Sequence, residues 1–67
     1  MKHFAVYTGP TIVKQIADML RGYGFNVTYE GTEHVYVQGL NTFHILSALG
    51  QGFSEKDFRQ ISKNVFE

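Results

Sequence analysis

The sequence has no cysteine among its 67 residues, and this absence excludes two ways of supporting a small fold. A chain of this length forms one domain and buries only about 60% of its extended surface, so its stability margin is thin. Disulfides or a thiolate-bound metal commonly stabilise secreted domains of this size. Their exclusion favours a cytoplasmic protein or one that a partner stabilises.

Long hydrophobic runs are also missing. No apolar stretch approaches the roughly 20 residues of a membrane span. The start, MKHFAVYTG, has the alternation of a strand rather than the pattern of a signal peptide. We therefore expect a soluble, intracellular protein with no membrane contact.

Positive charge is absent from the middle of the chain, although the net charge is zero. No Lys or Arg stands between Gly22 and Ser54. Binding to a nucleic-acid backbone needs several cations on one face, which this region cannot supply. A nucleophile elbow, a P-loop and a dinucleotide fingerprint are absent too. The sequence therefore predicts neither an enzyme nor a cofactor.

The most regular pattern is a β-hairpin, FNVTYEGTEHVYVQ, over residues 25–38. A loop of odd length beginning at Gly31 separates an apolar face from a polar face, whereas a one-residue slip would mix them. On the apolar face this register pairs Tyr29 with Val35 and Val27 with Val37. On the polar face it pairs Glu30 with His34, Thr28 with Tyr36 and Asn26 with Gln38.

The remaining elements follow from hydrophobic periodicity and from helix start and stop signals. The predicted strands cover 2–8, 25–30 and 34–38, and the predicted helices cover 10–22, 42–49 and 55–66. The order β-α-β-β-α-α indicates a single small α+β domain. Its three-stranded sheet would have strand 3 in the centre and helices on one face. Two strand edges would stay open, which favours pairing with a second copy.

A glycine turn closes the first predicted helix. Gly22 or Gly24 can take the left-handed position that closes the first helix, with Phe25 folding back as an apolar clasp. Tyr23 and Phe43 are assigned to the apolar stripes of the first and second helices.

The polar face of the predicted sheet is the first candidate site. Aromatic side chains on an exposed sheet can anchor a protein partner, although half-exposed tyrosines are also ordinary strand formers. The candidate binding residues are Tyr7, Thr28, His34, Tyr36 and Gln38. We expect a non-enzymatic protein-binding module. Its size is typical of phage and mobile-element accessory proteins that modulate a host factor.

The hairpin tip carries Glu30, Glu33 and His34, which could provide half of a metal site or an acid–base pair. The alternative is a solvated turn with a weak ion pair. No H-x-x-x-H and no cysteine would complete a coordination sphere. The sequence therefore predicts no metal.

A helix-turn-helix over residues 43–64 is the alternative from another functional class. Ser54 followed by Asp57 resembles a capping box, which would begin the second helix of that motif. The residues that could contact nucleic acid there are Lys56, Arg59, Gln60 and Lys63. An αα-hairpin that only covers the sheet is the structural alternative.

Residues 12–37, a helix ending in Gly-Phe and then a hairpin with G-T-E-H-V-Y, resemble the core of the HicA mRNA-interferase toxins. The resemblance implies an RNA-directed toxin with a double-stranded-RNA-binding-like fold and a hairpin histidine after a Gly-Ser pair. Here Glu33 follows Gly31-Thr32, and His34 stands one place later than that histidine.

Overall fold

The computed structural model describes residues 2–50 and 52–61 of the chain. Its elements are β1 (Lys2–Tyr7), α1 (Val13–Gly22), β2 (Asn26–Glu30), β3 (His34–Gly39), α2 (Thr42–Leu49), one 3₁₀ turn (Glu55–Asp57) and β4 (Phe58–Ile61). The strands form an antiparallel sheet in the order β2-β3-β1-β4. The chain is thus a small α+β domain, as predicted. Strand β3 lies between β1 and β2, but a fourth strand makes the sheet order differ from the predicted three-stranded one.

The predicted helix over 55–66 is wrong where the structure describes it. Ser54 does begin a turn, and its backbone N–H donates to the Asp57 carboxylate at 3.0 Å. The turn ends after three residues, and Phe58–Ile61 pairs with β1 instead. The sheet therefore has four strands, not three. Residues 62–66 lie outside the described part of the chain.

Pairing with β1 explains why the strand replaces the helix. Strand β4 pairs with backbone groups along one edge of β1. A helix at this position would leave those backbone groups without a strand partner. It also packs Phe58 against Phe4 edge-to-face, with ring centroids 6.5 Å apart. These long-range contacts outweigh the local helix-start signal at Ser54.

Helix α1 begins at Val13, three residues later than predicted. The preceding connection is held against the hairpin loop, because the backbone N–H groups of Thr8 and Gly9 donate to the Glu33 carbonyl at 2.9 and 3.1 Å. Gly9 adopts a φ of 82°, which turns the chain after β1. Pro10 lies in this connection, three residues before the helix begins.

A β-bulge at Thr28 corrects the predicted hairpin register. Val27 faces Val37 as predicted, but Tyr29 faces Tyr36 and Glu30 faces Val35. Thr28 is the extra residue, and it shifts the two positions after it to the opposite faces of the sheet. The predicted pairs Tyr29 with Val35, Glu30 with His34 and Thr28 with Tyr36 are therefore wrong.

The core lies between the two helices and one face of the sheet. Helix α1 buries residues at the spacing of a single helical stripe: Val13, Ile16, Ala17 and Leu20. The fully buried side chains from the other elements include Val6, Val35, Val37 and Ile45. Within the described ranges, neither helix has the length and apolar character needed to cross a membrane.

One of the two predicted sheet edges differs in the structure. Strand β4 covers the edge of β1 that was expected to stay open. Strand β2 is the outermost strand on the other side among the described residues, and its bulge interrupts the regular backbone ladder. Bulges of this kind reduce edge-to-edge association between sheets. Pairing of two copies through β2 stays a prediction.

Candidate functional site

The predicted polar face is less open than the sequence indicated. Tyr36 and His34 are only 6% and 4% exposed, whereas Tyr7 is 40% exposed. The expectation of an exposed face around Tyr36 and His34 is therefore wrong.

Aromatic rings on this face pack against one another, which contributes to that burial. The ring of His34 lies 5.7 Å from Tyr7, 6.1 Å from Tyr29 and 5.2 Å from Tyr36. Tyr29 joins them because the bulge turns it to this side, 5.1 Å from Tyr36. We call these four residues the tyrosine–histidine cluster. Tilted rings at such separations are typical of structural aromatic packing.

Gly31 allows this cluster to form. A Cβ atom at Gly31 would lie 2.7 Å from Cε1 and Nε2 of the His34 ring, although the backbone of Gly31 has no left-handed φ. We expect Gly31→Ala to lower the free energy of unfolding by about 2 kcal/mol, because the buried ring must move. Urea denaturation followed by circular dichroism would measure the loss.

Two variants control this prediction. Gly22→Ala adds a methyl group at the end of α1, where nothing lies within 4 Å, so it should be neutral or slightly stabilising. In a His34→Ala background, the further cost of Gly31→Ala should fall below about 0.5 kcal/mol. An equal cost with and without the imidazole would contradict the steric explanation.

Thr28 and Gln38, the other predicted binding residues, lie at different places on the hairpin. Thr28 is exposed at the bulge, where its hydroxyl donates to the Tyr36 carbonyl at 3.4 Å. Gln38 is half-buried and lines a surface pocket at the opposite end of the hairpin from its loop.

The hairpin tip does not bring Glu30 and His34 together. The bulge turns Glu30 toward α1, where its carboxylate accepts from Arg21 at 2.8 Å. His34 faces the other side of the sheet. Within residues 2–50 and 52–61, no three His, Asp or Glu side chains are arranged to hold a metal ion.

The predicted nucleic-acid residues do not share a helix face. Lys56 lies in the 3₁₀ turn, and Arg59 and Gln60 are neighbours in β4 with side chains on opposite faces of the sheet. Lys63 lies outside the described residues. As far as Ile61, the last described residue, the chain therefore does not form the predicted helix-turn-helix.

A surface pocket forms where α1 ends and β2 begins. Helix α1 closes with a Schellman turn, in which the N–H of Phe25 donates to the Leu20 carbonyl at 3.0 Å and that of Gly24 to Arg21 at 3.0 Å. Gly24 has a φ of 92°, as the sequence predicted for one of the two glycines. The turn points Tyr23 outward and folds Phe25 back toward α2.

His44 forms the other wall of this pocket. Asn41 caps α2 by accepting the His44 backbone N–H at 2.9 Å, and the His44 ring Nδ1 accepts the Leu40 N–H at 3.3 Å. These bonds orient the imidazole beside Phe25, with ring centroids 4.7 Å apart. Because Nδ1 accepts a hydrogen bond, neutral His44 carries its proton on Nε2.

The pocket consists of two adjoining parts of about 260 and 250 Å³ that share Tyr23, Phe25 and His44. We call it the aromatic pocket. Its other lining residues are Gly24, Asn26, Gln38, Ser47 and Ala48. None of the lining side chains is an acid, a lysine or an arginine.

Three exposed apolar side chains lie on the segments that form the aromatic pocket. Tyr23 is 66% exposed, Leu40 59% and Phe43 70%. The backbone N–H of Leu40 donates to the ring of His44, and Phe43 directly precedes His44 in the sequence. We call these three residues the apolar patch.

Sequence reasoning assigned Tyr23 and Phe43 to buried stripes, and the structure corrects both assignments. Tyr23 lies beyond the end of α1. Phe43 precedes buried Ile45 by two positions, and side chains two apart on a helix do not share a face. Counting the helical period from Ile45 and Leu49 would have identified Phe43 as exposed.

Comparisons with protein-family models, curated proteins and solved structures find no significant match to this chain. The resemblance to HicA toxins therefore rests on residues 12–37 alone. His34 is buried among tyrosine rings, which is typical of a packing residue.

Proposed function

We propose that this protein is a small non-enzymatic module that binds another protein through the apolar patch and the aromatic pocket. The observation that carries the proposal is the exposure of Tyr23, which lines the pocket, and of Leu40 and Phe43, which adjoin the pocket residue His44 in the chain. Single exposed apolar side chains are ordinary, but a group beside a concave aromatic surface is typical of an interaction site.

Charge supports a protein partner over a nucleic acid. The aromatic pocket has no cationic side chain in its lining, and Arg21, the last cation before the cation-free stretch, is paired with Glu30. A nucleic-acid backbone would have no counter-charge at this site. That the bound protein is a host factor, and that the chain comes from a phage, stay predictions.

Affinity capture with tagged protein tests this proposal. We expect wild-type protein to retain a partner after nuclease treatment, and Leu40→Ser/Phe43→Ser to retain at least about tenfold less, because exposed aromatic anchors dominate binding energy. The matched control is Lys14→Ser/Gln15→Ser, which changes exposed residues on α1. This control should capture the partner as wild type does.

The captured partner is then purified, and its dissociation constants for the three proteins are compared by calorimetry. All three should unfold at similar temperatures, since the substituted side chains are exposed. Equal affinity of wild-type protein and the patch variant would contradict the proposal, as would loss of all partners on nuclease treatment.

A further inference from the structure

The aromatic pocket has a size that limits what it can hold. Each of its two parts measures about 250 to 260 Å³. An apolar cavity of about 150 Å³ already binds benzene, whereas pockets for drug-sized molecules begin near 300 Å³. One part of the pocket therefore fits a single aromatic side chain and the backbone that carries it.

The lining selects a planar group with a polar edge. Phe25 and His44 present rings inclined at 54° to each other, and Tyr23 adds a third ring. The rim provides the amides of Asn26 and Gln38, which supply both donors and acceptors of hydrogen bonds. Ring faces favour an aromatic guest, and the rim amides can bond its phenol or indole N–H.

The absence of charged residues from the lining disfavours charged guests. With no acid, lysine or arginine in the lining, a phosphate or a charged side chain would lose water without gaining a counter-ion. An aliphatic side chain would fill the space but gain no hydrogen bond from the rim amides.

We propose that the aromatic pocket receives a tyrosine or tryptophan side chain of the partner protein. This inference rests on the proposed function and names the group that the partner inserts. The ring packs against Tyr23, Phe25 and His44, and its polar edge bonds Asn26 or Gln38.

Small probes test the pocket without knowledge of the partner. N-acetyl-tryptophanamide is titrated into ¹⁵N-labelled protein, with N-acetyl-leucinamide and adenosine as comparisons. We expect saturable shifts of Gly24, Asn26 and His44 with the tryptophan probe, with a millimolar dissociation constant and at least about fivefold weaker binding of the leucine probe. The chain contains no tryptophan, so every indole signal belongs to the probe.

Asn26 provides the matched variants, because it is exposed and lines the part of the pocket that also contains Gln38. Asn26→Phe should fill that part and raise the dissociation constant of the tryptophan probe at least about tenfold, while Asn26→Gln, which keeps an amide at the rim, leaves it within about twofold. Tighter binding of adenosine, equal binding of the leucine probe, or shifts centred elsewhere would overturn the inference.

The two proposals can fail separately. If the tryptophan probe does not bind but the patch variant still loses its partner, the inference is overturned and the proposed function stands. If the probe binds at the pocket while the patch variant keeps full affinity for the partner, the proposed function fails and the aromatic site remains.

Discussion

Replacement of Leu20 by alanine is expected to lower the free energy of unfolding by about 3 kcal/mol. Leu20 has no exposed surface and lies in the core between α1 and the sheet. A domain of this size has a total stability of about 3–10 kcal/mol. The variant should therefore lose much of its stability, measured as a fall in the urea midpoint at an unchanged slope.

Lys14→Ala is the control on the same helix. Its side chain is 81% exposed, and its only described ion pair joins it to Asp18 at 3.4 Å. Exposed pairs contribute little, so the change should stay within about 0.5 kcal/mol. Equal urea midpoints for the two variants would show that α1 does not pack through Leu20.

Deletion of Thr28 is expected to preserve the fold, whereas deletion of Val27 should destabilise it. Removing the bulged residue leaves Val27 opposite Val37 and Tyr29 opposite Tyr36, so that the strands pair without interruption. The deletion loses only the 3.4 Å hydrogen bond from the Thr28 hydroxyl to the Tyr36 carbonyl. We expect a change below about 1 kcal/mol. Removing Val27 instead places Thr28 opposite Val37, on the core face, with an expected loss of about 2 kcal/mol.

Amide spectra and urea denaturation distinguish these two deletions. The Thr28 deletion should keep the dispersed spectrum and the contact between Tyr29 and Tyr36. If both deletions destabilise equally, or if the Val27 deletion is better tolerated, the bulge assignment is wrong. A regular hairpin would lose its register on either deletion, since one residue moves all later side chains to the other face.

The candidate site was only partly predictable. The Schellman turn at Gly24, with Phe25 folding back, follows from local sequence because a left-handed residue favours glycine. Gln38 was predicted to bind on the polar face of the sheet with Tyr36 and His34, whereas the structure places it in the lining of the aromatic pocket. The meeting of Phe25 with His44 was not predictable, because it joins two segments through the packing of α2.

Exposure was the least predictable property. Tyr36 looked open and is buried, whereas Phe43 looked buried and is 70% exposed. The alternation of a strand tells which side chains share a face, but not how closely the rings on that face pack. On α2, the apolar letters alone did not show that Phe43 points away from Ile45.

The sequence by itself determined the elements whose signals lie within a few residues. Apolar alternation predicted β1, β2 and β3, and the apolar stripe predicted α1. The right-handed connection set only the relative directions of the strands and allowed β3 at the centre or at an edge. The tertiary structure alone decided that residues 58–61 form β4 and that Thr28 bulges. Both outcomes depend on contacts with distant strands: pairing along β1 outweighed the helix signal at Ser54, and packing of Tyr29 on Tyr36 accompanied the loss of regular alternation in the hairpin.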